Sequence, residues 1–162
     1  MVGQPHTMNR IRSNTAYKQR KIVRNGKELN AAFSEIQRAT QEEISELTRD
    51  TAIRLYKKCS IGTPIKTGRA RAGWQLSEHT TNYVPDKNVE FSPQDLATDE
   101  EQQITQTLNE PASDMYYIIN NVEYIQRLEA GHSKQAPNGW IANALLETKK
   151  ELQRNIKAMN NR

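Results

Sequence analysis

The side chains that most often perform catalysis or bind metals are few in this sequence and lie far apart. The three histidines, His6, His79 and His132, fall in a basic N-terminal stretch and in two loop-like segments, and none has a second histidine three or four residues away. Ser133 follows His132 directly, but no strand–turn–helix elbow surrounds the pair. The single cysteine, Cys59, excludes an intrachain disulfide and a thiolate zinc cluster, and we expect it to pack in the core.

Glycine-rich phosphate loops are also absent. Gly62 and Gly68 lack the Gly-Lys-Ser/Thr ending of a P-loop, and Gly68 and Gly73 do not complete a dinucleotide-binding fingerprint. Carboxylates are plentiful, but those on predicted helices lie on otherwise polar faces. The sequence therefore disfavours a hydrolytic or transfer enzyme, and we predict no catalytic residue, no metal and no cofactor.

Length and composition indicate one domain with a thin core. The chain has 162 residues, and its hydrophobic residues make up 35%, against roughly 45–50% apolar residues in an average globular protein. Such a chain is suited to completing its burial against partners. No run approaches the ~18 apolar residues of a membrane span, and the N-terminus lacks the apolar segment of a secretory signal.

Charge is distributed unevenly along the chain. Residues 1–30 carry seven basic residues and one acidic residue, whereas residues 86–114 carry eight acidic residues and one basic residue. We expect a basic arm over residues 1–26, and a single domain over residues 27–162 with an acidic insertion at about 78–114. Contacts with two different surfaces, or with copies of the same chain, would explain this asymmetry. Two solvated, flexible stretches are the alternative.

Hydrophobic periodicity predicts an α+β fold. Between Lys27 and Cys59 there is no Pro or Gly, and one helical stripe carries the apolar residues Leu29, Phe33, Ile36, Ile44, Leu47 and Leu55. A short strand is predicted from about Gly73, and a second strand over 115–120. An acidic helix is predicted from Pro93 to about Asn109, and its apolar face carries Leu96, Ile104 and Leu108. Two further helices are predicted, a short one over 122–130 and a last one over 140–159. We expect the long N-terminal and C-terminal helices to pack on a small antiparallel β-sheet.

Two segments carry a resemblance to a known family. The first is TPIKTGRARAGW, residues 63–74, and the second is INNVEYIQRLEAGHS, residues 119–133, followed by QAP and a long helix. Together and in this order they resemble the head–tail joining proteins, also called tail-completion or neck proteins, of long-tailed bacteriophages. The likeness covers roughly residues 27–77 and 115–160. The motif positions are Pro64, Thr67, Gly68, Trp74, Tyr124, Gly131, Pro137 and Trp140.

The resemblance implies an α+β structural protein of the virion. It implies a ring of twelve or six copies at the head–tail interface, between the portal-side connector and the tail terminator or tail tube. Double-stranded DNA would pass through this ring without sequence-specific contact, no membrane would be involved, and assembly would take place in the host cytoplasm. The acidic residues 86–114 would then face the lumen or a basic neighbouring ring, because acidic walls repel phosphate.

Subunit contacts in such a ring would use charged residues of both motifs and of the basic arm. On an extended segment Arg69 and Arg71 would project from one face and could pair with carboxylates of a neighbouring subunit, for which Glu129 is a candidate. His132 lies in a polar loop that either fixes the start of the last helix or contacts a subunit. In the arm, the contact candidates are Arg10, Arg12, Arg20 and Lys21.

Other interpretations of these residues stay open. An intrachain or solvated arginine is as plausible as an intersubunit one, and Trp74, Tyr124 and Trp140 are more typical of a core than of an interface. The alternative function is a basic, nucleic-acid-associated accessory protein, favoured by a pI of about 9.2. Only Tyr17 interleaves with the basic run, so base-stacking side chains are sparse.

Overall fold

In chain order, a long helix stands at each end of the described residues, with the shorter elements between them. The computed structural model describes residues 26–135 and 138–161, and within these ranges the elements are α1 (Gly26–Gly62), α2 (Arg69–Ala72), β1 (Trp74–Ser77), α3 (Pro93–Asn109), β2 (Tyr117–Asn120), α4 (Ile125–Glu129) and α5 (Trp140–Asn160). The chain divides into two units between Glu43 and Ile44, inside α1. The described part of the first unit consists of the N-terminal turns of α1, and all the other elements belong to the second.

The sheet consists of two antiparallel strands. Trp74 pairs with Asn120 at one end of the ladder and Ser77 pairs with Tyr117 at the other. On the other edge of β1, the side-chain amide of Gln103 takes the place of a third strand. Its Oε1 accepts from the Leu76 amide at 2.9 Å, and its Nε2 donates to the Trp74 carbonyl at 3.2 Å. The acidic helix α3 is thus attached to the sheet, and the predicted α+β class with long terminal helices is confirmed.

The core of the second unit lies where α1, β1 and α5 meet. Its buried members are Ala52, Ile53, Tyr56 and Cys59 of α1, Trp74 and Leu76 of β1, and Ala144 of α5. Two indole N–H groups find partners in it, since Trp74 Nε1 donates to Thr63 Oγ1 at 2.7 Å and Trp140 Nε1 donates to the Cys59 carbonyl at 3.3 Å. Cys59 is 2% exposed, and burial raises the pKa of its thiol to about 11. It is a packing residue, as expected.

The face of α1 that packs in the second unit differs from the predicted apolar stripe. Ile44, a stripe residue, is 48% exposed, while Tyr56 and Cys59 are buried. In the first unit the stripe residues Phe33 and Ile36 are 60% and 43% exposed. The prediction was partly right: Leu55 of the stripe packs against the core, but the buried residues Ala52, Tyr56 and Cys59 lie outside the stripe.

Helix α3 begins as its sequence predicted. The Asp95 amide donates to Ser92 Oγ at 3.1 Å and the Ser92 amide donates to Asp95 Oδ2 at 2.9 Å, with Pro93 in the first turn. This reciprocal capping box satisfies two amides that the helix itself leaves without acceptors. Its apolar face was only partly right, because Leu96 is buried but Leu108 is 50% exposed.

Substitution Ser92→Ala removes one half of this capping box. We expect the free energy of unfolding to fall by about 1 kcal/mol, as for other lost N-caps, in a urea denaturation followed by circular dichroism. Ser34→Ala, at an exposed position inside α1, is the matched control and should be neutral or slightly stabilising. Equal stabilities for the two variants would contradict the role of the capping box.

Candidate functional site

The two segments that carry the family resemblance meet in the folded chain. Asn120 Nδ2 donates to the Ala70 carbonyl at 2.8 Å, and Asn120 Oδ1 accepts from the Val122 amide at 3.1 Å. One side chain therefore holds the turn after β2 against α2. We call this contact region, residues 68–74 with residues 120–124, the motif junction.

Gly73 is the point of closest approach in the motif junction. A Cβ atom on this residue would lie 2.6 Å from Val122 Cγ2 and 2.7 Å from Asn120 Oδ1. Because Val122 is 2% exposed and Asn120 is held by two hydrogen bonds, neither side chain has room to move. Only glycine fits this position.

Gly68 starts the junction with a left-handed backbone. Its φ is 80°, which places it in the region that glycine adopts without steric cost. This turn leads the chain from Pro64 into α2. A hydrogen bond supports it, in which the Phe91 amide donates to the Thr67 carbonyl at 2.8 Å. The sharp turn expected at Gly68 is present.

Arg69 is the buried cation of the motif junction, 5% exposed. Its Nη1 and Nη2 donate to the two carboxylate oxygens of Glu123 at 3.0 and 2.9 Å, and its Nε donates to the Pro85 carbonyl at 2.9 Å. The guanidinium carbon lies 5.6 Å from the centre of the Tyr124 ring. This bidentate pairing raises the pKa of Arg69 and lowers the pKa of Glu123 to about 2. Arg69 thereby joins α2, the loop over 78–92 and the start of α4.

Arg71 binds a different set of partners. Its Nε donates to Ser60 Oγ and its Nη2 donates to Glu100 Oε2, both at 3.2 Å, while Ser60 Oγ donates to the same carboxylate at 2.8 Å. The expectation that Arg69 and Arg71 project from one face of an extended segment was wrong. Residues 69–72 form a helical turn, because Gly68 reverses the chain and the two alanines favour helix. Both guanidinium groups bind carboxylates of their own chain.

Glu129 holds the start of α5. Its two carboxylate oxygens accept from the Ile141 and Ala142 amides at 2.9 and 3.1 Å, and its carbonyl accepts from the Gly139 amide at 2.9 Å. A carboxylate at a helix N-terminus satisfies free amides and is favoured by the helix dipole. Within its own chain the Glu129 carboxylate thus caps α5, and its contact with an arginine of a neighbouring subunit stays a prediction.

The loop between α4 and α5 serves this cap only in part. Gly131 follows α4 with a φ of 88°, as a C-terminal stop should. His132 is exposed, and its amide donates to the Arg127 carbonyl at 3.2 Å. The side-chain hydrogen bonds to the first amides of α5 come from Glu129 and not from His132.

The remaining predicted residues fall into three groups. Trp74 and Trp140 are each 5% exposed, and Tyr124 is half-buried under Arg69. Pro64 and Thr67 are half-buried in the turn before α2. Five candidates lie outside the described residues: Arg10, Arg12, Arg20, Lys21 and Pro137.

Several acidic side chains of the stretch 86–114 hold the fold together. Asp95 caps α3, Glu100 binds Arg71, and Asp114 accepts a hydrogen bond from Ser45 of α1. Asp99 accepts from Gln103 at 2.9 Å, and partial burial raises the pKa of its carboxyl. Glu100 and Asp114 therefore attach the acidic stretch to α1 and α2, whereas Asp95 and Asp99 act at α3 itself.

Sequence reasoning missed four residues that hold the motif junction together or bind its two arginines. Glu123 and Asn120 stand inside the second motif segment, yet they were not singled out, and Ser60 and Glu100 lie outside both segments. Glu123 follows Asn120 by three residues and stands just before a helix. This position is the local signal in the sequence that its side chain makes a polar contact. No local signal connects Glu100 to Arg71, because 29 residues separate them.

The described residues were also compared with the requirements of a metal site and of a membrane span. Within 26–135 and 138–161, no group of three or more histidine, cysteine, aspartate or glutamate side chains could hold a metal ion. Among the helices of the same part of the chain, none is long and apolar enough to cross a membrane. Comparison of the chain with protein-family models, with curated proteins and with solved structures gives no match. Any function must therefore be argued from the residues themselves.

Substitution Gly73→Ala tests the motif junction. The added methyl group would collide with Val122 and Asn120, so we expect the free energy of unfolding to fall by about 1–3 kcal/mol, as in other overpacked sites. Gly26→Ala is the matched control, because a Cβ at Gly26 meets no atom within 4 Å. Chemical denaturation of both variants is the measurement. A Gly73→Ala variant as stable as Gly26→Ala would contradict the close approach.

Acid should selectively weaken the Arg69–Glu123 pair. The pKa of Glu123 is lowered from 4.5 to about 2, so its contribution to stability is complete above pH 4.5 and is lost as the pH falls towards 2. Glu123→Gln should therefore destabilise the protein at neutral pH, and its difference from the wild type should shrink over this window. Glu101→Gln, at an exposed position on α3, serves as control. A difference that is independent of pH would contradict the pairing.

Proposed function

We propose that this protein is a structural component of the head–tail junction of a long-tailed bacteriophage. In this proposal it acts as a neck or tail-completion protein that assembles as a ring between the portal-side connector and the tail. It catalyses no reaction, and its task is to present fixed surfaces to its neighbours while double-stranded DNA passes through.

The motif junction is the observation that carries the proposal. The two segments that resemble the neck family are 45 residues apart in the sequence, yet Asn120, Glu123 and Val122 contact Ala70, Arg69 and Gly73 directly. Residues shared with a family for chance reasons have no cause to contact one another. Segments shared for structural reasons do, because each supplies half of one scaffold.

The character of the junction supports a structural role. Its buried groups are paired: Arg69 is bound by a carboxylate, a carbonyl and an aromatic ring, and Asn120 uses both ends of its amide. Catalytic sites instead expose perturbed groups to a cleft where substrate can reach them. A fully paired buried network favours rigidity and a single conformation.

Acidic side chains of the stretch 86–114 that remain exposed would face the DNA path or a basic neighbouring ring. Asp86, Glu90, Glu101 and Glu110 are exposed. A surface of this sign does not hold phosphate, so DNA can slide past it. The basic residues 1–26 would reach an adjacent subunit or component.

Electron microscopy of lysates tests this function. A phage that lacks this gene should leave DNA-filled heads beside separate, finished tails, and purified protein added to the lysate should restore joining. Gly26→Ala protein should restore it as well as the wild type. Normal infectious particles without the gene would overturn the proposal, and salt-dependent DNA binding by the isolated chain would then favour the nucleic-acid-associated alternative.

A further inference from the structure

The two strands of the sheet differ in what lies along their outer edges. Gln103 shows which groups of β1 point away from β2, because it binds the Leu76 amide and the Trp74 carbonyl. Along an antiparallel pair, residues alternate between pointing at the partner strand and pointing away from it. Leu76 pairs with Ile118, and Trp74 pairs with Asn120. The backbone N–H and C=O groups of these two β2 residues therefore point to the outer edge of β2.

This edge of β2 is open and unprotected. Among residues 26–135 and 138–161, no backbone hydrogen bond joins it to another segment. Sheet edges are commonly protected by a charged side chain, a proline or a bulge. The run over residues 115–122 contains no charged residue, no proline and no glycine, and it is rich in residues that favour extended backbone. Such an edge is a template for a further strand.

The side chains of β2 can support an added strand on both faces of the sheet. Ile118 packs against the core. Tyr117 and Ile119 stand at the alternate positions, so they point to the other face, and both are half-buried. Aromatic and β-branched side chains stabilise a neighbouring strand through cross-strand contacts.

The start of β2 is acidic. Glu78 and Glu110 line a cavity together with Tyr116, the residue before β2, and Asp114 stands two residues before Tyr116. Arg49 donates to the Glu110 carbonyl at 3.0 Å, but its guanidinium also binds a glutamate of α1. A basic segment is therefore attracted to this end of the open edge.

One segment of the basic arm has the composition that this edge requires. Residues 20–24 read Arg-Lys-Ile-Val-Arg, and Ile22 and Val23 are the only adjacent pair of β-branched residues in the sequence over residues 1–25. β-Branched residues favour strands, and the three cations of the segment complement the acidic start of β2. Five residues are also enough to pair with all four residues of β2.

We infer that residues 20–24 of one copy of this chain add a third strand to the sheet of a neighbouring copy, along the outer edge of β2. Main-chain hydrogen bonds to Ile118 and Asn120 hold the added strand, as in other cases of strand addition, and its cations lie beside Glu110 and Asp114. Pairing of β2 with β2 of a second copy would join two copies only, whereas a contact between two different segments can repeat around a ring. The choice of a neighbouring copy as the donor thus rests on the proposed function.

Disulfide crosslinking between full-length chains tests this contact. Chains with Ile119→Cys are mixed with chains that carry either Ile22→Cys or Val23→Cys, and diamide is added as the oxidant. Because neighbouring side chains of a strand point to opposite faces, one of the two arm variants should crosslink about fivefold more than the other. Thr15→Cys, elsewhere in the arm, is the matched control and should give only background. The native Cys59 is 2% exposed, so the wild-type chain should not react.

The same experiment separates the other occupants of the edge. Crosslinking of Ile119→Cys chains with one another would show that β2 pairs with itself. A chain that carries both cysteines and crosslinks only within itself would show that the arm covers its own sheet. Either result would overturn the inference, and so would equal crosslinking of the two arm variants or none. Tyr117→Cys, on the same face as Ile119, is a second acceptor and should prefer the same arm variant.

Proline in the arm tests the main-chain bonds. Val23→Pro should weaken self-association roughly tenfold in sedimentation velocity, because proline has no N–H group to donate to a strand, and Thr15→Pro should associate like the wild type. Equal association of the two variants would overturn the inference, as would a wild-type chain that stays monomeric at every concentration.

The lysate experiment separates this contact from the proposed function. Joining restored equally by wild-type and Val23→Pro protein would overturn the contact and leave the proposed function standing. Crosslinking of the arm to β2, together with normal infectious particles in the absence of the gene, would do the reverse.

Discussion

Burial of the Arg69 guanidinium is the constraint on which the second unit depends most. A buried charge is costly unless it is paired and hydrogen-bonded, and here the partners come from two separate parts of the chain: the Pro85 carbonyl from one, and the Glu123 carboxylate and the Tyr124 ring from the other. These groups can satisfy the cation only when the loop over 78–92 and the start of α4 both lie against α2. Because an unpaired buried arginine would be destabilising, the arrangement that brings these partners to Arg69 is favoured, although the elements involved have little apolar surface of their own.

The same logic applies to the other polar contacts. Gln103 occupies the edge of β1 and Glu129 caps α5, while Ser60 and Glu100 bind Arg71. Each contact satisfies groups that would otherwise be buried without a partner or left at a helix end. Only 35% of the residues are hydrophobic, so the chain depends on such hydrogen bonds to favour a single fold. A chain with a larger core would depend on close packing instead.

The small number of apolar residues in the core also explains why some large apolar side chains are exposed. From α1 the core of the second unit takes Ala52, Ile53, Tyr56 and Cys59. Larger apolar residues such as Phe33 and Leu145 remain at the surface.

Local sequence determined most of the secondary structure. The absence of Pro and Gly between Lys27 and Cys59 of α1, the Ser92–Asp95 capping box, the turn at Gly68 and the stop at Gly131 are all local features, so their signals are present in the sequence. The fold class follows from these elements. The strand β2 was also placed correctly to within two residues, because Tyr117, Ile118 and Ile119 favour extended backbone.

Only the tertiary structure decided which faces are buried and which charges are paired. Two stripes of α1 satisfy the same helical period, and the choice between them depends on how closely β1 and α5 can approach. Arg71 meets Glu100 across 29 residues and Arg69 meets Glu123 across 54, distances over which no spacing rule acts. The pairing of long-range partners depends on the summed free energy of the whole arrangement, and no local pattern in the sequence contains that sum.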